Sequence, residues 1–237
     1  MALTMYTLFY GLSADPIHQG HIDLVTAAVT ELHDRGYAVP EVLLVPVYRR
    51  NPVGEQPKNS LPETFDDRVR MTGLAADVMS ERLAGTGTAV TVSRVAKELA
   101  TRSGGPNYDL ETLRCVQKEA VGQLLYLMSA ELVCGPDPEF GHWHQPVELA
   151  RIATIVIAPR PGYPPNTNFL AGLTAEGGRF LYLNNVVTMD ISSSQIRERL
   201  MAGADPHVLA DEGAFPGSVA DYIAGHPGLY RSAGPGA

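Results

Sequence analysis

A doubly wound α/β domain, with a mostly parallel sheet and helices on both of its faces, is the fold class this sequence predicts. Short apolar runs alternate along the chain with longer segments of helical period, and most runs end in turns rich in Gly, Pro, Ser or Asp. The size agrees: 237 residues at 45% hydrophobic composition are enough for one sizeable core. Ligands of such folds gather beyond the carboxyl ends of the strands, so the segments that follow strands are where chemistry is to be sought.

Residues Thr4–Tyr10 read as a buried strand, closed by a Gly-Ser-Asp-Pro turn and followed by an apolar-periodic helix over about Gly20–Arg35. Glu41–Val47, with VLLVPV at its core, is the second strand. The stretch Tyr48–Glu63 is rich in Pro and Asn, carries Arg49, Arg50 and Lys58, and is long enough to read as a functional loop rather than a connection. A helix over about Asp66–Leu83 and a strand over Ala89–Val92 come next. Ala96–Tyr108 ends in the turn signal SGGPNY, after which Leu110–Met128 resumes helical spacing. Glu131–Cys134 reads as a short strand running into GPDPEFGHWH, Ile152–Ala158 as another ending in PRPGYPP, and Phe180–Asn184 as the last. Beyond it lies MDISSSQIRERL, where serines precede a helix. One domain over residues 1–230 is expected, without repeats or an interior linker, and with a disordered tail over 231–237.

The formal net charge of −8 excludes broad sequestration of nucleic acid, which demands clustered Lys and Arg. An anionic ligand must therefore be held by a local device, such as helix N-termini and a few placed cations. No apolar run approaches the roughly 20 residues that cross a bilayer, and the first residues lack a basic lead and a small-residue cleavage site, so the expected address is the cytoplasm. The two cysteines, Cys115 and Cys134, fall in a helix-like and a strand-like segment and read as small buried apolar residues rather than a disulfide or metal site.

The stretch YGLSADPIHQGHIDLV carries the first chemical signal. If a helix begins near His18, then His18 and His21, three residues apart, share a face at its electropositive end. Backbone N–H groups of the turn that holds Gly11 and Ser13 would add donors, making an anion cradle. A zinc site and a pair of ordinary structural histidines stay open at this point; zinc needs further ligands, and His142 and His144 belong to another loop. The second signal is ISSSQIR, Ile191–Arg197, which sets three hydroxyls and free N–H groups at a helix start with Arg197 one turn in. Alone it is a plain N-cap. Paired with the histidines it points to phosphate.

GLSADPIHQGH resembles GG[ST]F[DN]PxHxGH, and ISSSQIRERL resembles ISSTxIRxRL, both motifs of the nicotinate and nicotinamide mononucleotide adenylyltransferases, in the HxGH nucleotidyltransferase superfamily. Between them GPNYDLETLR is similar to GPSYTxDTLR, GPDPEFGHWH to a GxD loop followed by Trp, and APRPGY to a PRPGY segment; FPGSVADYI with HPGLY matches the C-terminal pattern. The resemblance spans nearly the whole chain in the expected order. It implies a Rossmann-like α/β fold and transfer of the AMP moiety of ATP to a pyridine mononucleotide, with release of pyrophosphate, in NAD biosynthesis. The attacking phosphate is already anionic at pH 7, its second pKa being about 6, so no general base is needed. The work is to bring two anions together, neutralise developing charge and hold the attack in line.

The resemblance implies roles for particular residues. His18, His21 and Arg197 would be catalytic; Gly11, Ser13, Gly135, Asp137, Ile191, Ser193 and Ser194 would join them in binding ATP, with Gly135 and Asp137 at the ribose. Asp15, Lys58, Tyr108, Asp109, Thr112, Trp143 and Arg160 would bind the acceptor, Trp143 by stacking on the pyridine. Mg²⁺ is the implied cofactor, carried on ATP oxygens and water rather than on protein side chains. ATP and a mononucleotide are the expected partners, with no nucleic acid and no membrane, and self-association into a homo-oligomer is left open. Leu12, Ala14, Asp109 and Pro146 depart from the pattern, where Gly, Phe, Thr and Trp are usual. The motif order favours nicotinate mononucleotide over the amide, whereas an Asp109 carboxylate facing the base would repel nicotinate by about 1 kcal/mol or more. Two further readings stay open: a same-fold enzyme acting on another phosphorylated acceptor, and a nucleotide-binding protein without turnover.

Overall fold

A computed structural model of the protein describes residues 4–48, 64–104, 108–186 and 191–230. Six strands form one sheet in the order β3-β2-β1-β4-β5-β6, every pair parallel. They are β1 (Met5–Leu12), β2 (Ala38–Pro46), β3 (Ala89–Val92), β4 (Gln123–Ser129), β5 (Ala153–Ala158) and β6 (Phe180–Tyr182). The helices that matter most for the site are α1 (Gln19–Asp34), α2 (Phe65–Arg82), α4 (Asp109–Val116) and α7 (Ser193–Met201); α3 (Val95–Ser103), α5 (Pro146–Ile152), α6 (Thr167–Ala175), α8 (Pro206–Asp211) and α9 (Gly217–Gly225) complete the layers. The α/β class, the parallel sheet and the helices on both faces are as the sequence predicts. Among the described residues no helix is long and apolar enough to cross a membrane.

Side-chain alternation divides the core in two. Leu8, Tyr10 and Leu12 of β1 and Leu125 and Leu127 of β4 face the layer built from α1, α2, α7 and α9. Phe9 of β1 and Leu124, Tyr126 and Met128 of β4 face α3, α4, α5 and α6. A strand covered on both faces carries no polar alternation. That is why QLLYLMS, which forms β4, was legible only as a continuation of helical spacing: the predicted helix over Leu110–Met128 is in fact α4 followed by β4, and the predicted strand at Glu131–Cys134 is largely a 3₁₀ turn over Ala130–Val133. The break between α4 and β4 falls at Gly122, whose φ of +81° puts a Cβ only 2.0 Å from the Met5 carbonyl oxygen. Cys115 and Cys134 are half-buried free thiols, and Cys134 lies in an isolated bridge with Pro165, not in a strand.

The order of strands reverses direction between β1 and β4, so the crevice beyond the carboxyl ends of these two strands is the natural ligand site. β1 runs two residues further than the sequence suggests, through Gly11 and Leu12, and delivers the chain to α1 at that crevice. Lys58, Arg49 and Arg50 of the expected functional loop, and the tail 231–237, lie outside the described residues. Replacing Gly122 by Ala is expected to destabilise the fold by about 2 kcal/mol or more, because positive φ and the Met5 carbonyl both oppose a side chain. A thermal melt checks this; an unchanged Tm contradicts it.

Candidate functional site

The turn from β1 to α1 is tightly packed. Ala14 has φ +50°, is fully buried, and belongs to the core where the resemblance would place an aromatic lid. Asp15 is 4% exposed. His18 caps α1 and His21 is its third residue, and the His18 backbone N–H donates to Nδ1 of His21 over 3.2 Å. That bond fixes the neutral His21 tautomer, leaving Nε2–H as a donor. The two rings lie 3.8 Å apart between centroids. Gly20 allows this: a Cβ there would sit 3.1 Å from the His18 ring and 3.3 Å from Cγ2 of Ile191.

Ile191 announces the second arm of the site, from the other end of the chain. At the start of α7, Ser192 is the N-cap, accepting from the Gln195 N–H, and Gln195 in turn accepts from the Ser192 N–H. Ser193 Oγ donates to the Pro16 carbonyl over 3.0 Å, and Arg197 Nη1 donates to the Asp15 carbonyl over 2.5 Å. Arg197 Nη2 donates to Ser194 Oγ over 3.1 Å, and the Asp15 carboxylate lies 3.6 Å from Nη1. The N-termini of α1 and α7 thus meet at one place, with their positive dipole ends, two imidazoles, two hydroxyls and a guanidinium gathered together.

Burial sets the charge state of the imidazoles. It pushes His18 down to about 4, with the Arg160 charge adding to the effect. His21 is held well below the usual histidine range by burial and by neighbouring His18, against the His18 N–H bond. Both rings are therefore neutral donors at pH 7. His18 Nδ1 is buried and has no hydrogen-bond partner, a deficit that a ligand oxygen can remove. Arg160 is ion-paired to Glu131 and lies 5.4 Å over the Tyr163 ring, in the wall of a cleft of about 390 Å³ at the carboxyl ends of β5 and β6.

The other half of the site forms where α4 begins. Tyr108 precedes α4 and stacks on His144 with centroids 4.2 Å apart. Asp109 accepts a 2.7 Å hydrogen bond from Tyr126 Oη, so its carboxylate is turned toward β4. Tyr126 lies 6.3 Å from the Trp143 ring, and Trp143 rests against Phe140 in an edge contact at 5.4 Å. Gly11 makes room for this: a Cβ on it would meet Tyr126 Oη at 3.2 Å. Glu111 Oε2, one turn along α4, is buried without a hydrogen-bond partner. Asp137 is exposed and pairs with His142 Nε2 at 2.8 Å, while Gly135, at φ +75°, has its carbonyl held by Asn166 Nδ2 at 2.7 Å.

Of the residues singled out from sequence, His18, His21, Ile191, Ser193, Ser194 and Arg197 converge, and Arg160 acts on His18 through its charge. Tyr108, Asp109 and Trp143 cluster through Tyr126 and His144. Four more of these residues are held within the protein itself. Gly11 is part of β1, and the Ser13 carbonyl accepts from Arg68. Asp15 is turned inward, where Tyr230 Oη donates to it over 3.2 Å, and Thr112 is 1% exposed and donates to the Tyr108 carbonyl over 3.1 Å. Sequence reasoning missed Arg68, Tyr126, Tyr230, Gly20 and Glu111 as site residues; Gly20 lies within HQGH, Glu111 within GPNYDLETLR and Tyr230 within HPGLY, whereas Arg68 and Tyr126 carried no local signal.

A cytidylyltransferase-like family model matches residues 9–199. A protein of Bordetella pertussis named “Probable nicotinate-nucleotide adenylyltransferase” is 32% identical over 98% of this chain and 100% of its own length. One of the same name from Bordetella petrii is 31% identical over 93% of this chain and 96% of its own. The solved structure of Plasmodium falciparum nicotinic acid mononucleotide adenylyltransferase complexed with NaAD superposes with a TM-score of 0.58 at 16% identity, covering 95% of this chain and 97% of that one. That likeness speaks for the fold.

The neutral state of His18 has a consequence for stability. Its imidazole accepts a proton only near pH 4 in the folded chain, against 6.5 when unperturbed, so between these values the unfolded chain binds more protons. The stability gained from keeping the ring neutral is complete above about pH 6.5 and is lost as pH falls toward 4. The Tm of the wild-type protein is expected to fall more steeply through this window than that of His18→Gln; parallel curves contradict the assignment.

Proposed function

Since the chain belongs to the cytidylyltransferase-like family, we propose that it transfers the AMP moiety of ATP to the phosphate of a pyridine mononucleotide, releasing pyrophosphate and forming a dinucleotide. The observation that carries this reading is the meeting of the α1 and α7 N-termini, through Ser193 on Pro16 and Arg197 on Asp15. The names of the relatives, full-length matches on both sides, support the same substrate class.

In this reading the triphosphate lies across the two arms. His21 Nε2–H and the His18 ring donate to phosphate oxygens, and Ser193, Ser194 and Arg197 hold the β- and γ-phosphates. Neutral imidazoles suit the task. They bring hydrogen bonds without a full charge in the resting site, so donors stand ready where negative charge accumulates. The mononucleotide phosphate attacks the α-phosphorus, the bond to the β-phosphate oxygen breaks, and pyrophosphate leaves toward α7. Arg197 and the α7 amides then stabilise the leaving group. No proton needs to be removed from the nucleophile.

Mg²⁺ accompanies ATP in this reading. The donors gathered at the cradle are imidazoles, hydroxyls and a guanidinium, and the Asp15 carboxylate is turned inward to Tyr230. Phosphate oxygens and water would therefore be the ion's ligands, and when bound it would supply charge neutralisation on the triphosphate. The pyridine stacks on Trp143, between Tyr108 and the Asp137 loop, with Asp137 at the ATP ribose, Arg160 available to the acceptor phosphate and Lys58 a further candidate there. The relatives' names favour the acid mononucleotide, and the Asp109 carboxylate, held by Tyr126, would favour the amide as competitor if it faces the base.

Pyrophosphate release from ATP or CTP with a panel of phosphorylated acceptors tests the reading. Turnover confined to ATP with a pyridine mononucleotide supports it, whereas turnover only with another acceptor, or binding without release, overturns it. His21→Ala is expected to lower kcat by roughly 10²-fold with the fold intact, as for loss of a charge-stabilising donor; unchanged turnover contradicts the role. Asp109→Thr is expected to raise the ratio of kcat/KM for the acid over the amide, and an unaltered ratio removes Asp109 from specificity.

A further inference from the structure

Arg68 heads the fully buried side chains among the described residues when these are ranked by volume. It lies in the first turn of α2, in the sequence FDDRVRM, two residues from the exposed Arg70. Its Nη1 donates to the Ser13 carbonyl over 2.6 Å, its Nη2 to the Val47 carbonyl over 2.7 Å and its Nε to Thr64 Oγ1 over 3.3 Å. The guanidinium also lies 5.5 Å from the centroid of the Phe65 ring. Burial lowers its pKa to about 10, against the favourable charge of Asp15, so it stays protonated at neutral pH.

A buried guanidinium is costly to desolvate, and an apolar side chain of similar volume often packs as stably. What an apolar side chain cannot do is tie together two carbonyls from different loops. Ser13 belongs to the turn that carries Ala14, Asp15 and Pro16 into His18, and Val47 directly follows β2. The Val47 N–H in turn donates to the Leu12 carbonyl over 2.9 Å, so the two loop bases are joined from both sides. Asp15 and Pro16 are the residues on which Arg197 and Ser193 rest. The planar fork of Arg68 thus lies beneath the segment that both arms of the cradle share.

We propose that Arg68 is a positioning residue for the proposed transfer reaction: its fork holds the Ser13 carbonyl against the end of β2, and so sets the turn from which His18, His21 and Arg197 take their places. Its positive charge also offsets that of buried Asp15, which leaves the charge of Arg197 available to phosphate. Lysine would keep the charge but cannot span both carbonyls with a rigid fork. This inference rests on the functional reading above.

The test is equilibrium binding of an ATP analogue with a methylene α,β-bridge, with Mg²⁺, by calorimetry, together with kcat and KM for ATP in pyrophosphate release. Wild type, Arg68→Lys and Thr64→Val are compared, and thermal melts report folding. Folded Arg68→Lys is expected to bind the analogue about tenfold more weakly and to lose kcat as well, the size of losing charge-assisted hydrogen bonds. A merely structural role would lower Tm and leave both kinetic constants of the folded protein unmoved; that outcome overturns the inference. Should Arg68→Lys fail to fold, Thr64→Val decides, since it loosens the fork without emptying its pocket: binding about threefold weaker supports the role and unchanged binding removes it. Wild-type protein that binds no analogue removes the functional reading and this inference with it, whereas wild type that binds beside variants that bind equally well removes the inference alone.

Discussion

The seat of α7 on the turn before α1 is the contact on which the rest of the site depends. Ser193 on the Pro16 carbonyl and Arg197 on the Asp15 carbonyl join residues separated by most of the chain. Each arm alone is an ordinary helix start. Brought together they superimpose two positive dipole ends on one volume, and the imidazole pair and serines add donors there, the set that the proposed reading assigns to a polyphosphate. Nothing in the overall charge of −8 favours an anion, so the local geometry must do all the work.

The parallel sheet makes this contact attainable. β1 is central and covered on both faces, so the turn that leaves it is anchored in the core, and Tyr230, near the end of the described chain, closes over Asp15 from the far side. The acceptor half is built differently. There the shape comes from aromatic contacts, Tyr108 on His144 and Trp143 on Phe140, with the Tyr126–Asp109 bond linking them to β4. In the proposed reading, a cradle of main chain and small polar groups would take the phosphates and a flatter aromatic wall would take the base.

What could be read from the sequence follows from how local each signal is. His18 and His21 are three residues apart on one helix face, and ISSSQIR carries a cap and an arginine within one turn, so both were visible without tertiary information. β4 was misread because a strand buried on both faces has no alternation to display, and only Gly122 marked the end of the preceding helical spacing. Arg68 could not be told from Arg70 in FDDRVRM: one is wholly buried and the other exposed, a difference created by loops that lie far from them in sequence. Asp15 belongs to the motif that carries the histidines, yet its partners Tyr230 and Arg197 come from the last quarter of the chain, so its inward orientation could not be inferred from spacing.

The central claim is that one triphosphate spans the N-termini of α1 and α7. A crystal structure with a non-hydrolysable ATP analogue tests it most directly. Phosphate oxygens of one nucleotide are expected within hydrogen-bond distance of His18 or His21 on one side and of Ser193, Ser194 or Arg197 on the other. Density for the analogue that touches only one of these arms, or that lies in the separate groove lined by Gln123, Arg151 and Arg179, would contradict it.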